Sequence, residues 1–248
     1  MRTPSLDDRI AATMRPTDQP KVMHQSWNEL LFLHWEIDPV DIQSTLPEGL
    51  RVDTFDGRGY LGIVPFYMNR VRPPFFPAVP GLSNFLEMNV RTYVHDEYGR
   101  PGVWFYSLDA NQKLVVRLAR KFFHLPYYDA KMSSVIDSGV VDYRSQQEHS
   151  NETSCYKYSA RSVIESPEPG SLEYFLAERY YLFSHHQKTN QLYSGRVHHT
   201  PYPLLDVEVA EYSDYPIQLA GFERPGRLYN SSLMSHGVNV EVFPLQKL

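Results

Sequence analysis

The chain has 248 residues, 42% hydrophobic and 21% charged, with a formal net charge of −5. That balance is globular rather than disordered, gives enough length for a sizeable core, and lacks the basic excess that a nucleic-acid surface needs. No run approaches the roughly 18 apolar residues of a membrane span, the first 21 residues lack the apolar stretch of a secretory signal, and Cys155 is the single cysteine. The expectation is a cytoplasmic protein in a reducing compartment, without nucleic-acid or membrane partners.

Residues 1–21 are polar and punctuated by proline and read as a loose arm. An aromatic and apolar strand is expected over 30–37. Asp38-Pro39 then marks a helix start, with Asp38 as cap and Pro39 at the first helical position, and Pro47-Glu48-Gly49 ends the helix. Strands follow over 50–54 and 60–71 across the Asp56-Gly57 turn signal. The prolines of 72–81 exclude a strand interior. Strands are expected over 86–94 and 102–108, and an amphipathic helix over 111–124, with Leu114, Val115, Leu118, Ala119, Phe122 and Phe123 on one arc and a basic opposite arc. Further strands are expected near 130–144, 154–163, 191–199, 204–212 and 238–243, with a Pro/Gly loop over 165–170 and a last helix over 172–183. Nine or ten strands with three interrupting helices make an α+β fold of mostly antiparallel pairing, and no composition shift divides residues 1–248 into more than one domain.

The most informative stretch is 84–94. Side chains alternate across a strand, so Glu87, Asn89, Arg91 and Tyr93 share one face and Met88, Val90, Thr92 and Val94 the other. The simpler reading puts one face in solvent; the functional reading turns the polar face inward, where Glu87 and Arg91 pair and an arginine fork suits a carboxylate. Arg179 falls in the middle of the apolar face of the 172–183 helix, which demands a partner or a wet cavity. A structural ion pair would satisfy it, as would a ligand. His198 and His199 are adjacent on a strand, so one faces inward; His198 is taken as a ligand-binding candidate. Adjacent strand histidines rarely serve one ion, and no HExxH or cysteine pair is present, so neither a metal nor another cofactor is expected.

In chain order, Leu46-Pro47-Glu48-Gly49-Leu50, residues 87–94 (EMNVRTYV), Phe105-Tyr106-Ser107-Leu108-Asp109-Ala110, Ala119-Arg120, Leu125-Pro126-Tyr127-Tyr128 and His198-His199 resemble the YqjF-like family of uncharacterised bacterial proteins. The resemblance spans about Trp27 to about Tyr212. More distantly the chain is similar to the acetoacetate decarboxylase-like superfamily. That similarity implies a cone- or barrel-like, mostly antiparallel fold with a central pocket, flanking helices and homo-oligomers. In acetoacetate decarboxylases a helix carrying an arginine is followed by proline and two lysines, one of which forms a Schiff base. Arg120 and Pro126 match, but Tyr127 and Tyr128 stand at the lysine positions, and tyrosine cannot form an imine. The resemblance therefore implies either an enzyme acting on a small carboxylate or carbonyl compound without a Schiff base, or a domain that binds a small anion and has lost the chemistry. A pocket filled by the chain's own aromatics is the third reading. In the first, Glu87, Tyr127 and Tyr128 are the catalytic candidates, and Asn89, Arg91, Tyr93, Arg120, Arg179 and His198 hold the ligand.

Overall fold

A computed structural model describes residues 2–164 and 167–248. In chain order these form α1 (Leu6–Ala12), β1 (Met23–Ile37), α2 (Pro39–Thr45), β2 (Leu50–Val52), β3 (Gly59–Arg72), β4 (Phe85–Asp96), β5 (Pro101–Ala110), α3 (Lys113–Phe123), β6 (Tyr127–Asp137), β7 (Val140–Gln147) and β8 (Ser154–Val163). They continue with α4 (Leu172–Ala177), β9 (Tyr181–His186), β10 (Gln191–His198), β11 (Leu204–Glu211), α5 (Tyr215–Leu219), β12 (Ser231–Val242) and β13 (Gln246–Lys247). The strand-rich α+β expectation holds. Of the loop expected over 165–170, residues 165 and 166 lie outside the described residues.

The frame is an antiparallel run β12–β1–β3–β4–β5. Both outer strands of that run share their free edges. β5 pairs in parallel with β9 near its start and with β6 near its end. β12 pairs with β10 near its end and with β11 near its beginning. The sheet therefore closes twice, once through β9–β10 and once through β6–β7–β8–β11. This double closure buries the frame on both faces. Leu30 and Phe32 of β1, with Val64 and Phe66 of β3, enter one core, while Leu31, Leu33 and Trp35 with Leu61 and Ile63 enter the other. Every residue of β4 is buried, so neither of its faces meets solvent.

Three local differences from the sequence reading have physical causes. The loose arm expected over 1–21 holds α1, which is started by a reciprocal capping box between Ser5 and Asp8. Its Arg9 gives two hydrogen bonds to buried Asp53, at 2.7 and 2.8 Å. The strand expected over 130–144 is a hairpin, β6 and β7, which turns through Ser138 and Gly139, both at positive φ. The helix expected over 172–183 ends at Ala177, because Glu178 leaves helical geometry and the aromatic run from Tyr181 pairs as β9 with both β5 and β10.

One glycine is fixed by crowding. Gly237 of β12 has φ 139°, and a Cβ there would collide with the Trp27 carbonyl and with Asn28 across the ladder. Gly237→Ala is expected to lower unfolding free energy by about 2 kcal/mol or more, read as a lower urea midpoint at unchanged m. An unchanged midpoint would mean that the β1–β12 ladder is looser than described.

Candidate functional site

The inner face of the frame, α3, α4, β9 and β10 enclose a cavity of about 620 Å³. Its wall is mostly apolar, including Val103, Phe105, Leu108, Val115 and Val197. Buried polar side chains break that wall at Glu87, Arg91, Tyr127, Arg179 and Tyr202. The alternation of β4 explains two of them. Leu86, Met88 and Val90 enter the opposite core, which turns Glu87 and Arg91 toward the cavity. An open volume of this size weighs against a pocket filled by the chain's own aromatics.

Glu87 is 2% exposed. The Tyr127 hydroxyl donates to its Oε2 at 3.0 Å, and the Tyr143 hydroxyl donates to its main-chain carbonyl at 2.8 Å. Burial pushes the Glu87 carboxyl up to about 8; the Tyr127 bond opposes this, and the nearby Asp109 charge adds to it. Burial likewise raises Asp109 to about 6, against a bond from Gln147. Glu87 is thus a neutral acid near pH 7. One oxygen accepts from Tyr127, and the protonated carboxyl supplies a donor of its own. Burial also keeps Tyr127 protonated, with its pKa well above the ordinary value. Tyr127→Phe removes the bond that favours ionised Glu87 and is expected to raise the Glu87 pKa above its wild-type value. The carboxyl C=O infrared band, followed against pH, measures this; a lower midpoint would contradict the assignment.

Two guanidinium groups occupy the more buried part of the cavity. Arg91 Nη2 donates to the Leu176 carbonyl at 3.2 Å and to the Tyr93 hydroxyl at 3.4 Å. Arg179 Nη1 donates to Asp53 at 2.7 Å, and its Nε to the Phe175 carbonyl, also at 2.7 Å. The Arg179 guanidinium lies over the rings of Phe175 (4.2 Å) and Tyr93 (5.0 Å), and Arg91 is 5.6 Å from the same Tyr93 ring. Burial pushes Asp53 up, but Arg179 and Arg9 outweigh it and leave Asp53 below the usual carboxylate range. Arg91 Nε and Arg179 Nη2 are buried N–H groups with no partner among the described residues.

The structure distributes the remaining candidates. Glu87 and Arg91 do not pair: four residues along a strand separate their backbones by about 13 Å, and each side chain has other partners. Arg179 lies not on a helix but in the turn between α4 and β9, with the ion pair to Asp53 that its burial demands. Tyr93 is fully buried behind the two arginines, where its hydroxyl meets His34 Nε2 at 2.6 Å. Asn89 is buried but does not line the cavity. Tyr128 follows Tyr127 on β6 and therefore points outward, 41% exposed. Arg120 also lies outside the cavity; its Nε donates to the Tyr127 carbonyl at 2.6 Å and so braces the residue beside Glu87. His198 faces away, and His199 is the inward member, stacked on Tyr180 and next to Tyr202, with burial lowering its pKa to about 4. Among the described residues no group of three or more histidine, cysteine, aspartate or glutamate side chains could hold a metal ion.

Sequence reasoning missed Tyr202, Asp53 and Arg9. The Ser5-Leu6-Asp7-Asp8 capping box could have revealed α1. Nothing local announces that Asp53 lies between two arginines more than forty residues away on either side.

The model of an uncharacterized conserved protein family, DUF2071, matches residues 24–239. The chain belongs to the DUF2071 family. Uncharacterized protein YqjF of Bacillus subtilis (strain 168) is 38% identical to this DUF2071 chain over 188 residues, 75% of this chain and 76% of that protein. Among solved structures, the enduracididine biosynthesis enzyme MppR complexed with pyruvate superposes with a TM-score of 0.65 at 12% identity, covering 93% of this chain and 91% of that one. Acetoacetate decarboxylase from Legionella pneumophila gives 0.64 at 11% identity, covering 95% and 90%. At such identities these structures establish the fold alone: the DUF2071 chain has the acetoacetate decarboxylase-like architecture. No helix among the described residues is long and apolar enough to cross a membrane.

Among the described residues, no lysine lines the cavity of this DUF2071 chain. Tyr127 reaches Glu87, and Lys121 and Lys131 are exposed.

Proposed function

We propose that the chain is an enzyme acting on an organic acid that carries a carbonyl group, without a Schiff base. Arg91 holds the carboxylate. Glu87, in its neutral form, donates its proton to the carbonyl oxygen as a C–H bond on the carbon beside the carbonyl breaks, that hydrogen leaving as a proton to solvent and its electron pair forming the enol double bond, and Tyr127 holds the Glu87 carboxyl in place. The observation that carries this reading is a buried carboxyl, bonded by the Tyr127 hydroxyl, inside an apolar cavity that also contains guanidinium groups, where burial pushes it up to about 8. A neutral carboxylic acid in such surroundings is a hydrogen-bond donor of the kind that stabilises enolate-like charge.

The test is turnover of a panel of oxo acids, from 2- and 3-oxo acids to acids whose carbonyl lies several carbons from the carboxylate, followed by proton NMR in D₂O. It is run on the wild type, on Glu87→Gln and on Lys121→Ala, with and without borohydride. Turnover is expected in the wild type and Lys121→Ala, but not in Glu87→Gln, with no borohydride trapping. Covalent trapping of a lysine by substrate and borohydride would overturn the proposal. So would Glu87→Gln retaining wild-type turnover.

A further inference from the structure

The cavity is much larger than a three- or four-carbon oxo acid requires, and its polar groups are unevenly placed. About 620 Å³ is the size of pockets that take drug-sized ligands. Arg91 and Arg179 are both buried. Toward α3 the lining becomes apolar and reaches the surface, where Leu118 and Phe122 line the cavity while remaining exposed. Glu87 originates about 13 Å along β4 from Arg91. A ligand that meets both must have length.

The charge balance of the buried end is also incomplete. Arg9, Arg91 and Arg179 are three guanidinium groups, and among the described residues Asp53, bonded to Arg9 and Arg179, is the one carboxylate that pairs with any of them. Burial pushes the Glu87 carboxyl up to about 8, so it offsets little of this charge, and the Glu178 carboxyl is taken up by the Tyr180 hydroxyl and the Tyr202 N–H rather than by an arginine. His34 lies within the same group, and burial followed by the Arg91 charge drives it toward the neutral ring. The unpartnered N–H groups, Arg91 Nε and Arg179 Nη2, belong to the two arginines that line the cavity. A buried cationic excess at the wall of a cavity calls for an anion, because an unmatched buried charge is costly.

We infer that the cavity binds an amphiphilic monocarboxylate: its carboxylate sits at Arg91 and Arg179, and a long apolar body runs past Glu87 toward the mouth beside Leu118 and Phe122. This rests on the catalytic reading above and narrows its substrate class from small oxo acids to acids with an extended apolar chain. Arg179 is then the second half of an anion clamp, with Asp53 and Arg9 behind it as positioning residues.

Titration calorimetry with straight-chain carboxylates from butanoate to dodecanoate, each below its micelle concentration, and with the matching primary alcohols, tests the inference on the unmodified chain. Affinity is expected to rise about three- to fourfold per added methylene until the cavity is filled. Each acid should bind at least about tenfold tighter than its alcohol. Arg179→Met should lower acid affinity about tenfold or more while leaving the alcohols unchanged, and Ala119→Phe, at the lining, should shift the preferred chain to a shorter one. Butanoate binding as tightly as decanoate, or alcohols matching acids, would overturn the inference, and neither outcome requires a variant to fold. Glu87→Gln separates the two readings. A chain-length series that persists in a variant without turnover supports both. A flat series with turnover still dependent on Glu87 removes this inference and leaves the catalytic reading standing.

Discussion

Glu87→Gln is expected to reduce kcat/KM by about 10² or more while leaving ligand affinity within about twofold, because glutamine keeps the acceptor for Tyr127 but carries no acidic proton. The same assignment sets the pH profile. With the neutral form of Glu87 proposed as the active one and burial pushing its carboxyl up to about 8, wild-type kcat/KM should be level below pH 7 and fall about tenfold per unit well above pH 8. Stability carries a parallel signature. The folded pKa lies above the ordinary 4.5, so between about pH 5 and 8 the folded state holds a proton that the unfolded state has lost. The Glu87 contribution therefore falls as pH rises through that window, by at most about 1.4 kcal/mol per unit, and levels off above it. Glu87→Gln removes that contribution. Its melting temperature should gain on the wild type between pH 6 and pH 9. A variant whose deficit is independent of pH would instead mark Glu87 as merely structural.

Asp53→Ala should cost about 3–5 kcal/mol, because it leaves Arg9 and Arg179 facing each other without a counter-charge in a buried site. For a chain of this length that is a fall in melting temperature of about 10 °C. The pH dependence has the opposite sign from that of Glu87. Asp53 lies below the usual carboxylate range, so its stabilisation is fully present above about pH 4 and is lost as pH falls through the folded value. Removing only the N-terminal partner, by Arg9→Met, should cost less, since Arg179 still neutralises Asp53 and methionine covers the same apolar surface. A melting temperature unchanged in Asp53→Ala would show that α1 and the turn after α4 are not joined through this carboxylate.

The strand-rich class and the shared face of Glu87 and Arg91 on β4 were legible because alternation is a local property of the chain; the direction of that face was not, because both faces of β4 are buried. The expected pairing of Glu87 and Arg91 did not follow, because a shared face says nothing of distance, and four residues of strand is a long reach. Arg179 drew notice as a charge on an apolar stretch. Its helix was misread past Ala177 because the aromatics from Tyr181 satisfy helical spacing as well as strand pairing, and only the neighbours β5 and β10 decide between them. The cavity itself depends on β5 and β12 each sharing an edge with two partners. Such long-range pairings leave no periodic mark. The outward turn of Tyr128 was available from alternation with Tyr127, had the strand been started at Tyr127 rather than at Ala130.

The ionisation of Glu87 tests the account most directly. Carbon-13 NMR of the glutamate side-chain carboxyls, titrated from pH 4 to 10 and assigned by loss of one signal in Glu87→Gln, gives its pKa in the folded protein. The account predicts a midpoint near 8, moved upward by Tyr127→Phe. A midpoint near the ordinary 4.5 would place a carboxylate in the cavity at neutral pH and contradict both the acid role of Glu87 and the anion-accepting character of the site.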